Sequence, residues 1–267
     1  MKELFFETKD IGVGEFSVLQ CFCARHDNAL FAPLENEPLT FSPEQITLLH
    51  YRAIAAEAYQ QGNQEDAAAA QARKYSSHDP RKGVFFSIFQ MHSLAAETAE
   101  DALKRLERNI ERKRYEKVCA LIVRFEDKPV ILSVGAFRPL YDVAAQQLQT
   151  LEPHSAYVAM HLLAAEDKAV LVFTWLRGQR AAERFAKQLV AQPPKQLTTL
   201  AIQVAFEYAE HTCMREDWWL QLDEPVRDVL LWRVKEANSL GYIRTSRCIS
   251  FYTPYDDWSV ESIQLVQ

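Results

Sequence analysis

The spacing of apolar residues changes twice along this chain, and those two changes limit what it can fold into. Before residue 115 apolar side chains recur three and four positions apart, as in Phe85, Phe89, Ala96, Ala99, Leu103, Leu106 and Ile110, the period of a helix face. From Val118 the period falls to two. The runs 118–125 and 129–137 are rich in β-formers and are joined by Glu126-Asp127-Lys128, and 156–164 and 169–175 repeat the arrangement around Ala165-Glu166-Asp167-Lys168. After Gly178 the helical period returns over 180–191, 196–213 and 224–240, ending at Gly241. A last β-like run, 242–252, precedes a polar tail. Helices, then strands, then helices is the order of an α+β protein rather than of alternating β-α-β units. The expectation is a four-stranded, mostly antiparallel sheet made of two hairpins, with helices before and after it and the C-terminal helices covering one face.

Local signals set the boundaries. Ser42-Pro43-Glu44-Gln45 reads as an N-cap, a first-turn proline and a capping-box partner. The helix it opens carries Ile46, Leu49, Ala53, Ala56 and Tyr59 and is expected to stop near Gly62. An Ala-rich helix over 64–74 follows, then a break at Ser76-Ser77-His78-Asp79-Pro80, then a long helix over 84–114. Residues 1–41 lack periodicity and read as an irregular segment with a remnant of a zinc-binding element. Residues 42–267 read as a single α+β domain.

Composition excludes some functions. Seven glycines in 267 residues leave only one GxG, Gly12-Val13-Gly14, so neither GxGxxG nor GxxxxGK[ST] occurs. A net charge of −6 weighs against nucleic acid as a main partner, without excluding a local basic patch. No apolar stretch approaches the ~20 residues of a membrane span. Five cysteines, at 21, 23, 119, 213 and 248, are odd in number and irregular in spacing, which points to a reducing, cytoplasmic compartment.

Five groups of residues invite a chemical reading, each beside a plainer one. Cys21, Cys23 and His26 offer zinc donors, or else small thiols in a packed loop with His26 and Asp27 capping a turn. Glu207, Glu210 and His211 fall at i, i+3, i+4, the spacing of helical metal ligands or an acid/base pair. With Gln203 and Met214 they equally form the polar stripe of an oily helix. Trp218 and Trp219, adjacent and so facing different ways, suit either an interface anchor or a helix between two layers. The basic run Lys104, Arg105, Arg108, Arg112, Lys113, Arg114, Lys117 is interleaved with Glu100, Asp101, Glu107, Glu111 and Glu116, and reads as a solvated helix face. Asp142, just past Pro139, reads as the N-cap of a helical turn over 143–149, or as a catalytic carboxylate working with Glu207, Glu210 or His211. No GxSxG or other nucleophile arrangement is legible.

Several pieces in consistent order resemble a family of uncharacterised bacterial proteins: Phe22-Cys23-x-x-His26-Asp27 with Leu30-Phe31-x-Pro33-Leu34-Glu35, Gln45-x-x-x-Leu49-x-Tyr51-Arg52-Ala53, Phe137-x-Pro139-x-Tyr141-Asp142, Val172-Phe173-x-Trp175, and Phe206-Glu207-Tyr208-x-Glu210 followed by Trp218-Trp219. The resemblance implies an N-terminal zinc-binding, treble-clef or HNH-like element. Its upstream cysteines and Ser-His pair are absent here, and His211 stands where the family often has Asn. It also implies a setting in stress response or phage defence. The resulting first expectation is a protein acting through protein–protein contact, with a protein partner or a second copy of itself, on the strength of Trp218, Trp219, Trp232 and Trp258. The alternatives are a degenerate zinc-binding, HNH-like protein acting on nucleic acid, and a hydrolase using Asp142 with Glu207, Glu210 or His211.

Overall fold

The computed structural model describes residues 9–11, 21–142, 144, 146–209, 211–237 and 255–267. In the segment expected to be irregular, the described residues hold two short helices, α1 (Ala24–Leu30) and α2 (Ala32–Glu35). Phe31 between them is fully buried, and its burial holds this segment on the body of the molecule. Helix α3 (Pro43–Ala72) starts as its sequence requires: Ser42 Oγ accepts from Gln45 N at 3.2 Å, and Gln45 Oε1 accepts from Ser42 N at 3.3 Å. It does not stop at Gly62. A helical glycine costs about 1 kcal/mol, and packing against α4 (Pro80–Glu111) outweighs it, burying Ala68 and Ala72 along the contact. The two helices expected on either side of Gly62 are therefore one. The next begins at Pro80 rather than 84, because Asp79 caps it by accepting from Arg81 N at 2.9 Å.

Among the described residues the sheet has six strands, not four, and every pairing is antiparallel. The strands are β1 (Val118–Phe125), β2 (Ile131–Phe137), β3 (Val158–Ala165), β4 (Lys168–Leu176), β5 (His211–Met214) and β6 (Val260–Val266), in the order β5-β2-β3-β4-β1-β6. The four expected strands are its middle, but only β3 and β4 form an expected hairpin: β1 pairs with β4 and β6, and β2 with β3 and β5, so the connection at 126–128 joins strands that are not neighbours. In the tight turn between β3 and β4, Glu166 and Asp167 both have positive φ, 51° and 66°, as a two-residue hairpin that matches strand twist demands. The two additional strands close the edges. β5 overlaps the end of the helix expected over 196–213. That helix, α6 (Pro194–Tyr208), ends earlier, and His211–Met214 pairs with β2 from Val134 to Ile131. β6 lies in the expected polar tail and pairs with β1, Val123 opposite Ile263 and Ala120 opposite Val266. The expected run 242–252, and the end of the helix expected over 224–240, lie outside the described residues.

Helices cover both faces of the sheet, because alternate residues of each strand point opposite ways. On one face Ala120, Ile122, Ala159, Val170 and Val172 pack with Ile46, Ile54, Ala102 and Leu106 of α3 and α4. On the other, Leu121, Val123, Met160, Leu162 and Phe173 pack with α5 (Arg180–Val190), α6, α7 (Glu216–Gln221) and α8 (Glu224–Ala237). Helix α3 crosses the sheet obliquely. His50 bonds Thr174 on β4, and Gln60 bonds His211 on β5. Those ten residues rise ~15 Å, which matches the ~14 Å between strands three places apart. Neither apolar core includes a residue between Ala58 and Ala99. The far parts of α3 and α4 thus form a helical hairpin that projects beyond the cores. Among the described residues no helix is long and apolar enough to cross a membrane.

Candidate functional site

The register of β1 on β4 creates a basic cleft. Val118 pairs with Leu176, so the chain entering β1 lies beside the chain leaving β4. Arg177 N donates to Lys117 O and Arg177 Nε to Glu116 O, both at 2.8 Å, which ties the two segments together. The end of α4 supplies Arg105, Arg108 and Arg112, and the turn after it supplies Arg114 and Lys117. The β4–α5 turn adds Arg177 and Arg180. Gly178, at φ +90°, makes that turn sharp enough to bring both arginines to the rim; a residue with a Cβ would be strained there. The result is a cleft of about 680 Å³ whose lining holds seven cationic side chains and His154 but no carboxylate.

These cations differ in how far they are already engaged. Arg105 pairs with Asp101 at 2.7 Å, and Asp101 also binds His154 at 3.0 Å. Arg108 Nε and Arg177 Nε donate to backbone carbonyls, which leave their charge uncancelled. Lys117 lies 3.9 Å from Glu116, on an exposed and weak pair. Arg112, Arg114 and Arg180 have no ion pair among the described residues. Helix α5 begins at the cleft wall, and its N-cap, Gln179, makes no side-chain capping bond. Its first backbone N–H groups therefore add partial positive charge to the same space. Seven like charges repel one another, so an arrangement of this kind favours an anion that neutralises several at once.

The residues singled out in the sequence are dispersed. Asp142 is buried in the loop that follows β2, and its carboxylate is fully used. Oδ1 accepts from Ala144 N at 2.9 Å and Gln146 N at 2.8 Å, and Oδ2 accepts from Arg184 at 3.0 Å. It organises a loop closed by a Tyr141–Gln147 bridge, and the described residues of 143–149 form no helix. Glu207, on α6, pairs with Arg233 of α8 at 3.5 Å, with both side chains almost wholly buried. His211 is on β5 and bonds Gln60 of α3 at 2.7 Å, so it does not share a helix face with Glu207 as the i+4 spacing suggested. Burial lowers its pKa. The sheet stands between Glu207 and His211, and Asp142 belongs to a third location. Acid/base partners must both reach one substrate; Asp142 and Glu207 are instead each engaged by an arginine within the fold, Arg184 and Arg233. Glu210 lies outside the described residues.

Cys23 Sγ lies 3.2 Å from His26 Nδ1, and burial raises the Cys21 thiol. Among the described residues no three His, Cys, Asp or Glu side chains are grouped to hold a metal ion. Trp218 and Trp219 are both buried, at 7% and 8% exposure, and Trp219 stacks on Phe206 with centroids 6.1 Å apart. They fill the space between layers. Trp258 is buried as well, and of the four tryptophans expected to serve contact only Trp232 is open.

A buried histidine pair under α3 escaped sequence reading. His50 Nδ1 bonds Thr174 Oγ1 at 3.0 Å, and the Nε2 atoms of His50 and His161 are buried with no partner among the described residues. Burial pushes both rings down to about 3; His50 is lowered further by His161, and His161 by Arg52. Both are neutral at pH 7 and belong to the packing of helix on sheet. The cleft was missed for another reason. The run from Lys104 to Lys117 was visible, but Arg177 and Arg180 join it only through strand pairing. The antiparallel match of β1 with β4 makes the residues before one neighbours of those after the other, and the sequence carries no local signal of it. No family model, no curated protein and no solved structure matches this chain.

Proposed function

We propose that the protein binds nucleic acid through its phosphate backbone in the cleft between the end of α4 and the β4–α5 turn. The observation that carries this reading is the concentration of seven cations without a carboxylate in a chain whose net charge is −6. Self-repulsion in such a patch costs stability, and a string of phosphates relieves it while releasing counterions. Arg112, Arg114 and Arg180 supply the strongest contacts, because their charge is not spent within the fold. No Phe, Tyr or Trp side chain lines the cleft, so bases lack a large platform on which to stack. Binding is therefore insensitive to sequence and steeply dependent on salt.

Fluorescence polarisation with labelled oligonucleotides tests this. With three to five phosphates neutralised, log K against log salt has a slope of about −2 to −4. Reversing Arg112, Arg114 and Arg180 to Glu lowers affinity at least about tenfold in low salt, at an unchanged thermal midpoint. An affinity that ignores salt, or a triple variant that binds like the parent, removes the proposal.

A further inference from the structure

The basic cleft lies at one end of the sheet, and its two walls belong to opposite faces of that sheet. Val118 and Leu176 share a core with Leu106 of α4, whereas their chain neighbours Cys119 and Trp175 share the other core with Ala182 and Phe185 of α5. Strand ends therefore form the floor, with Ala156, at the entry to β3, beside them. One wall carries Arg105, Arg108 and Arg112, at i, i+3 and i+7 along the end of α4, a row ~10 Å long. The other carries Arg177, just past β4, and Arg180, the first residue of α5.

The thickness of the layers sets the distance between the walls. Layers pack ~10 Å apart, so helices on opposite faces of one sheet have axes ~20 Å apart. Each helix fills ~5 Å of that, which leaves an opening of ~10 Å. One strand passes through it. A B-form duplex, whose major groove alone is ~12 Å wide, does not. The volume of about 680 Å³ is likewise that of a pocket that encloses its ligand rather than of an open surface.

We propose that the cleft takes nucleic acid as a single strand, gripped by its backbone from both walls, and excludes the duplex. This rests on the phosphate-binding reading above and specifies its ligand. An unpaired strand offers its phosphates to α4 and to the β4–α5 turn at once. A duplex lying across the mouth offers them to one wall alone.

Competition against a labelled oligothymidine of about 20 nucleotides, in low salt and at equal phosphate concentration, reads the preference. Unlabelled oligothymidine should displace the probe at least about tenfold more effectively than a blunt duplex of the same length. Arg108→Glu on one wall and Arg180→Glu on the other should each weaken the single strand at least about threefold, at an unchanged thermal midpoint. A duplex that competes as well as the single strand overturns the proposal and leaves phosphate binding standing. A probe that does not bind at all removes both. A single-strand affinity that responds to the reversal of one wall only also overturns it. Sodium tripolyphosphate that matches oligothymidine as a competitor assigns the cleft to a small polyanion and overturns it equally.

Discussion

The sheet body and the helical arm use the same apolar residue types and treat them in opposite ways. In β4 every residue from Ala169 to Leu176 is buried, because helices lie on both faces and strands on both sides. In α4, the apolar residues from Val84 to Met91 have one neighbouring helix among the described residues, and none of them is fully covered. Stability follows closure rather than apolar content. The body has the properties of a cooperative unit, and the arm those of a region that opens locally at lower cost. A protease or hydrogen-exchange experiment would see the difference as early cleavage and weak protection between residues 62 and 94.

Substitutions can break this contrast. The largest effect belongs to the centre of the sheet. Phe173→Ala empties a fully buried site that meets Phe185 edge to face, and should lower unfolding stability by about 4 kcal/mol in a denaturant titration. A loss below about 1 kcal/mol would mean that the body is not close-packed.

Acid tests the same layer through its histidines. His50 and His161 titrate near 3 in the folded chain and at the ordinary 6.5 when unfolded, so the unfolded chain takes up their protons first. The folded form keeps its full advantage above pH 6.5 and loses it as pH falls from there towards about 3. The pair should account for about 2–3 kcal/mol of lost stability at pH 5.5. Replacing both with Gln should flatten the curve between pH 7 and 5, and an unchanged slope would show that the two rings are not the cause.

The smallest effect has the opposite sign and belongs to the arm. Gly62 sits in the interior of α3, and nothing lies within 4 Å of where its Cβ would be. Gly62→Ala should stabilise by up to about 1 kcal/mol and slow exchange in the arm more than in the sheet. A destabilised variant would mean that the helix needs the glycine.

What could be read in the sequence follows the same division between local and distant causes. The capping box at Ser42 and Gln45 and the hairpin around 166–167 are decided by neighbouring residues, and were legible. The hairpin expected around 126–128 does not form, because β1 pairs with β4 and β6 while β2 pairs with β3 and β5. The strand at His211–Met214 was not legible. Its residues continue the apolar pattern of α6, and only the unpaired edge of β2 makes extension preferable. The helix through Gly62 depends on α4, some thirty positions later, against a local signal to stop. Of the candidate sites, Asp142 was legible as a structural carboxylate although not in a helix. The cleft needed Arg177 and Arg180 to be carried to Lys117 by the sheet, a contact that no spacing in the chain announces.

The pairing of β6 with β1 has a consequence during synthesis. β4 closes one side of β1 soon after it leaves the ribosome, whereas the other side must wait until Val266 has been made to meet Ala120. At ~5–20 residues per second that interval is on the order of ten seconds. Throughout it the nascent chain presents Val118–Phe125, eight residues with no proline and a single charge, as an open edge. Such a strand is a template for pairing with a neighbouring nascent chain. Translation that stops short of β6 therefore yields chains whose body is nearly complete and whose open edge directs them to aggregate.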